Sequence, residues 1–184
     1  TGANNSGISI QNANTTITSS GGNVVVTGLG GGMSTSSSNY GVEMMSGSIL
    51  TSGANGTLDV IGTGGATSGN ANLGIVLTGN NTRITSSGGD INVTGTGGGS
   101  GTSGSNNGVY VLNAAKIFPG GNGHAVIQGQ GGTASGASNS GVYLTGAGSQ
   151  ITSTNGDVTV TGTGGGSMGS AMNAGVLLDA SASI

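Results

Sequence analysis

Residues Ile84–Ser100 read ITSSGGDINVTGTGGGS, and the stretch recurs as ITSTNGDVTVTGTGGGS at Ile151–Ser167 and as ITSSGGNVVVTGLGGGM at Ile17–Met33. Both intervals are 67 residues, with no insertion or deletion. A fixed period of this kind marks an array of units that cannot bury a core alone and do so by stacking. The repeat therefore decides the fold.

Outward from that stretch, a glycine followed by alternating apolar positions recurs at Gly7, Gly41, Gly74, Gly108, Gly141 and Gly175, with spacings of 34, 33, 34, 33 and 34. Each unit opens as a short strand: GISI, GVEM, GIVL, GVYV, GVYL or GVLL. With the glycine as zero, offsets one and three are apolar in every unit. The alternation predicts that offset two (Ser9, Glu43, Val76, Tyr110, Tyr143, Leu177) faces solvent. A second apolar position follows at Ile17, Leu50, Ile84, Ile117, Ile151 and Ile184, at offset ten in odd units and nine in even ones.

A corner comes next, where Gly-Gly or Asn-Gly pairs end in Gly22, Gly56, Gly89, Gly123 and Gly156. Such pairs tolerate positive φ and predict a tight turn in each copy. The third strand then turns residues such as Ile91 and Val93 inward and runs into Gly95, Gly97 and Gly98 or their copies. A Ser/Gly/Asn loop leads to the next unit.

No stretch has helical periodicity, and Pro119 is the only proline. Three short strands joined by corners describe one coil of a parallel β-helix. Dividing each unit into two coils of about seventeen residues fits less well, because the three strand patterns differ. Residues 1–184 then form a single solenoid segment of five and a half coils, about 26 Å long at ~4.8 Å per coil. Even units lose one residue in the Ser/Gly/Asn loop, so the duplicated unit is a 67-residue pair of coils. The chain starts in mid-pattern, since TGANNSG from Thr1 matches TSGSNNG at Thr102–Gly108, without an initiator Met or a basic apolar leader. The expectation is a piece excised or processed from a longer array.

Composition excludes several classes. Leu, Ile, Val and Phe make up just under a fifth of the chain, but the net charge is only −3 and the apolar residues keep strict periodicity, so order is expected. Without cysteine there is no disulfide framework or thiolate metal site. No segment approaches the ~18 consecutive apolar residues of a membrane span. Two basic residues in all argue against a nucleic-acid or anionic-membrane partner.

The motifs NxGVxL and ITSxxGDxxVTGTGGG, with Gly-Ser-Asn-rich loops, resemble the repeats of filamentous-haemagglutinin-type and autotransporter-type bacterial surface proteins. The resemblance covers the whole chain, without a secretion domain or receptor-binding module. It implies a right-handed parallel β-helix, secreted or displayed at a bacterial cell surface, within a large adhesin or filament.

Candidate chemistry is sparse. β-helix enzymes acting on polysaccharides use clustered carboxylates with Arg or Lys, whereas this chain has Glu43, Asp59, Asp90, Asp157 and Asp179 scattered over its units. Arg83 and Lys116 stand about one coil apart on one side. Asp90, His124 and Asp157 share offset sixteen and predict an outward column at ~5 Å intervals, able in principle to bind a metal or sense pH. The plainer reading is a solvent-facing column that tolerates any polar residue, since Asn23 and Thr57 fill its other rungs. GTGGGSGTSG lacks the lysine and following helix of a phosphate loop, and GGD and NGD lack the nine-residue period of calcium β-rolls. Asn-x-Ser/Thr matches such as Asn14–Thr16 arise by chance in so Asn- and Thr-rich a chain. No catalytic, cofactor-binding or metal-ligating set is assigned.

Two function classes remain: a rigid repeat segment of an extracellular stalk or fibre, and a ligand-binding face made by the regularity of the solenoid. Thr94 and Thr96, with Thr161 and Thr163, would give the second a hydroxyl array for ice or carbohydrate, such as a host or matrix glycan. Leu29, Gln128 and Gln130 interrupt it. A carbohydrate-processing enzyme is a distant third. The expected partner is continuation of the same array, or self-association, along the axis, with no helix capping either end.

One polar side chain is kept in every unit: Asn5, Asn39, Asn72, Asn106, Asn139 and Asn173, two residues before each repeat glycine. A turn alone accepts Asp, Ser or Gly as well, whereas stacked amides can each donate to one neighbour and accept from the other. These residues predict a buried asparagine ladder.

Overall fold

The computed structural model describes residues 2–167 and 169–184; Thr1, which opens the mid-pattern match, lies outside them. It is an all-β parallel solenoid of about five turns, with three strands per coil and no helix among the described residues. The first sheet comprises β1 (Ile8–Ile10), β4 (Val42–Met45), β7 (Ile75–Thr78), β10 (Val109–Leu112), β13 (Val142–Thr145) and β16 (Val176–Asp179). The second comprises β2 (Thr16–Thr18), β5 (Ile49–Thr51), β8 (Arg83–Ser86), β11 (Lys116–Pro119) and β14 (Gln150–Ile151). The third comprises β3 (Val24–Leu29), β6 (Leu58–Thr63), β9 (Ile91–Thr96), β12 (Ala125–Gln130) and β15 (Val158–Thr163).

Register follows the repeat: Val109 pairs with Ile75 below and Val142 above, and Ile127 with Val93 and Val160. Because equivalent residues stack, each inward position becomes a column. Met44, Leu77, Val111 and Leu144 form one such column, and Leu50, Ile84, Ile117 and Ile151 another, all fully buried. Full burial of a side chain of this size contributes roughly 1.5–3 kcal/mol, and the second and third coils each supply five of them. The Leu50 column opens at the first coil and the Met44 column at the last, while Ile10 at the first coil stays buried. Ile17 is 36% exposed and Leu178 43%, where their interior copies are at 0%.

Two local expectations are corrected. Offset two of the first strand does not face open solvent throughout: Glu43 and Val76 are only 7% and 6% exposed. The loop preceding each first strand stands beside the sheet and sets its own side chains, Tyr40 and Leu73 among them, next to these rungs. The corner glycines Gly22, Gly56, Gly89, Gly123 and Gly156 are also not in the left-handed region. At Gly56, Gly89, Gly123 and Gly156 the requirement is proximity, whereas Gly22 in the first coil has no coil below it to meet. A Cβ on Gly89 would fall on the carbonyl oxygen of Gly56 one coil below, and one on Gly123 on that of Gly89.

The same closeness recurs where the third strand leaves the core. A Cβ on Gly95 or Gly129 would strike the carbonyl oxygen of Gly108 or Gly141 at the start of the next first strand. Two sheets meet there backbone to backbone, and no side chain fits between them.

Candidate functional site

The residue preceding each ladder asparagine is left-handed in all six units: Asn4, Ser38, Ala71, Ser105, Ser138 and Met172, with φ between 57° and 63°. Four residue types occupy the position and none is glycine, although the conformation costs an ordinary residue about 1–2 kcal/mol. It swings the chain so that the next side chain, the asparagine, turns inward at the corner. Asn39, Asn72, Asn106 and Asn139 are fully buried, and Asn5 and Asn173 in the terminal coils are partly so.

Every step between these asparagines is bridged in one direction, with Oδ1 of the later coil accepting from the earlier one. The donor is the side-chain amide from Asn5 to Asn39 (2.7 Å), Asn39 to Asn72 (2.7 Å) and Asn106 to Asn139 (2.9 Å). From Asn72 to Asn106 and from Asn139 to Asn173 it is the backbone N–H, at 2.9 Å in each case. An uninterrupted amide-to-amide chain is therefore not what forms. Where the backbone takes over, the side-chain amide donates inside its own loop instead, Asn72 to the Gly69 carbonyl at 2.6 Å and Asn139 to that of Gly136 at 2.5 Å.

The asparagine carbonyls close each coil on itself: Gly65 N–H donates to Asn39 O at 2.9 Å and Gly98 N–H to Asn72 O at 2.8 Å. The extra residue of the odd loops belongs to the same corner. Gly32, Gly99 and Gly166 have φ of 92°, 87° and 83°, and a Cβ on any of them would meet the asparagine amide or its serine neighbour.

The left-handed residue also raises the loop into a wall beside the first sheet, leaving an axial groove of about 430 Å³. Its floor is Val76, Tyr110, Tyr143 and Leu177, and Leu73, Asn107 and Ser140 stand on the loop side. Tyr110 and Tyr143 stack with centroids 4.8 Å apart and planes 5° from parallel. Burial, and then the neighbouring Tyr143 and Asp179, raise the Tyr110 phenol above its ordinary value. Tyr40 also lines a second, polar recess around Glu43, whose carboxylate accepts from Ser9 Oγ at 2.7 Å and Ser6 Oγ at 3.2 Å.

The chain matches no family model, no curated protein and no solved structure.

The offset-sixteen column is a row of backbone caps. Asn23 Oδ1 accepts from Thr57 N–H (3.0 Å), Asp90 Oδ1 from His124 N–H (2.8 Å), and His124 Nδ1 from Asp157 N–H (3.0 Å). The side chains of His124 and Asp157 are 49% and 91% exposed and approach to 3.5 Å. Among the described residues no three His, Cys, Asp or Glu side chains converge on a point that could hold a metal ion. On the third sheet, Thr94, Thr96, Thr161 and Thr163 share an outer face with Gln128 and Gln130, whose longer side chains break the hydroxyl array in the middle coil.

The groove and the left-handed positions escaped sequence reasoning. Only the asparagine marked that corner, because its neighbours vary freely.

Proposed function

We propose that the chain is a rigid repeat segment of a large extracellular bacterial adhesin or surface filament, a spacer without a reaction of its own. The observation that carries this reading is the one-directional hydrogen-bond ladder, which links every coil to the next. Such a ladder resists bending and slippage equally along the axis, as a stalk requires, and the buried apolar columns run parallel to it. The open columns of the terminal coils are suited to continuation by further coils of the same kind. Placement at a bacterial surface rests on the resemblance of the repeat motifs.

The test is to express chains with increasing numbers of the 67-residue pair and measure their length by small-angle scattering. Each pair should add about 10 Å to the long dimension at constant cross-section. A cross-section that grows with repeat number would end the reading. Surface placement is checked by antibody labelling of intact producing cells, with an exclusively internal signal as the contrary result.

A second reading, a ligand-binding solenoid face, is favoured by the apolar groove on the first sheet rather than by the interrupted threonine rows.

A further inference from the structure

Arg83 and Lys116 are the chain's only arginine and lysine, and they are direct partners on neighbouring strands β8 and β11. In-register partners on parallel strands stand ~4.8 Å apart with their side chains on the same face. The rungs on either side of them are uncharged, Ile49 below and Gln150 above. Like charges directly opposite one another destabilise a sheet. With five acidic residues available, the fold nevertheless brings none to this pair: among the described residues no carboxylate lies within ion-pairing distance of Arg83 or Lys116. Arg83 Nη1 donates to the Asn81 carbonyl at 3.3 Å, which leaves the rest of its guanidinium fork free.

The two cations line a recess of about 250 Å³ together with Asn80, Asn81, Thr82 and Phe118. Thr82 is buried and its hydroxyl already donates to the Thr78 carbonyl at 2.9 Å, so it is not offered to a ligand. What the recess presents is a planar donor fork, a point charge and the exposed side chains of Asn80 and Asn81.

We propose that this recess is a binding site for a doubly charged tetrahedral oxyanion, a phosphate-type group. Charge matching selects the class. One dianion neutralises both cations and converts their repulsion into two charge-assisted interactions, whereas a single carboxylate leaves one positive charge over and a neutral ligand leaves both. The group can be free inorganic phosphate or a phosphate monoester carried on a larger molecule, since the chemistry recognised is the same. The inference goes beyond the spacer reading and is independent of it.

The experiment uses the whole 184-residue chain. Sodium phosphate is titrated at about pH 8, where both it and phosphate monoesters are mainly dianions and Lys and Arg stay charged, at constant ionic strength while backbone amide resonances and the melting temperature are followed, with sodium acetate as the monoanion control. Phosphate should shift the Asn81, Arg83 and Lys116 amides and raise Tm, and acetate should do neither. Arg83→Gln and Lys116→Gln should each weaken phosphate binding by about tenfold or more. Without ligand, Lys116→Gln should melt no lower than the parent, because a repulsion has been removed; this separates lost binding from lost folding. Tighter binding of glucose 6-phosphate than of inorganic phosphate would identify the carried group as the ligand, and the reverse order the free ion. Equal responses to acetate and phosphate, or a Lys116→Gln chain that binds phosphate like the parent, would overturn the proposal.

Discussion

The side-chain amide of Asn39 donates to Oδ1 of Asn72 at 2.7 Å, and both residues are fully buried. The same Oδ1 accepts from Thr67 Oγ1 at 3.1 Å, while Asn72 Nδ2 satisfies the Gly69 carbonyl. Asn72→Leu keeps the approximate volume but withdraws the amide from these partners inside the corner. The expected loss is on the order of 1–3 kcal/mol in chemical denaturation. An unchanged midpoint would show that the ladder contributes nothing net.

Equivalent corner glycines should respond in opposite ways. A Cβ on Gly89 would occupy the position of the Gly56 carbonyl oxygen, so Gly89→Ala forces two coils apart and should cost about 1–3 kcal/mol. A Cβ on Gly22 finds nothing nearer than Ser19 at 3.8 Å. Gly22 has no positive φ, so Gly22→Ala should be neutral or stabilise by up to ~1 kcal/mol through the unfolded chain. Urea denaturation of the two variants checks the pair, and equal effects would refute the close-packing account.

Ala71 is left-handed at φ 60°. Replacing it by glycine removes a strain of about 1–2 kcal/mol and adds about 0.5–1 kcal/mol of unfolded-state entropy. Ala71→Gly should therefore stabilise the chain by up to ~1 kcal/mol, read as a higher denaturation midpoint. A clear loss would mean that the side chain matters more than the backbone angle.

Tyr110 supplies the pH dependence. Its phenol is raised in the folded chain, so the folded state holds that proton more tightly than the unfolded state does. The stabilisation is fully present below the unfolded value of about 10 and is lost as pH rises through the higher folded value. Tyr110→Phe should flatten this alkaline decline in Tm. The same slope in parent and variant would place its origin elsewhere.

The coil, its three strands and its inward residues were legible from the chain alone, because alternation along a strand depends only on residue type and the pleat. A period of 33 or 34 residues leaves stacking as the way to bury columns such as Leu50, Ile84, Ile117 and Ile151. The invariant asparagine was legible for a related reason: a buried side chain that accepts from the coil before it and also donates, to the next coil or within its own loop, needs an amide. Tertiary structure alone decided what depends on neighbouring coils. A glycine in sequence records a missing Cβ but not the reason, and at Gly56 and Gly89 the reason is a carbonyl oxygen one coil away rather than φ. The left-handed position at Asn4, Ser38, Ala71, Ser105, Ser138 and Met172 leaves no compositional mark, because the surrounding hydrogen bonds, not the residue, hold the angle. That angle raises the loop, shelters Glu43 and Val76, and makes a groove from an outer face that alternation assigned to water.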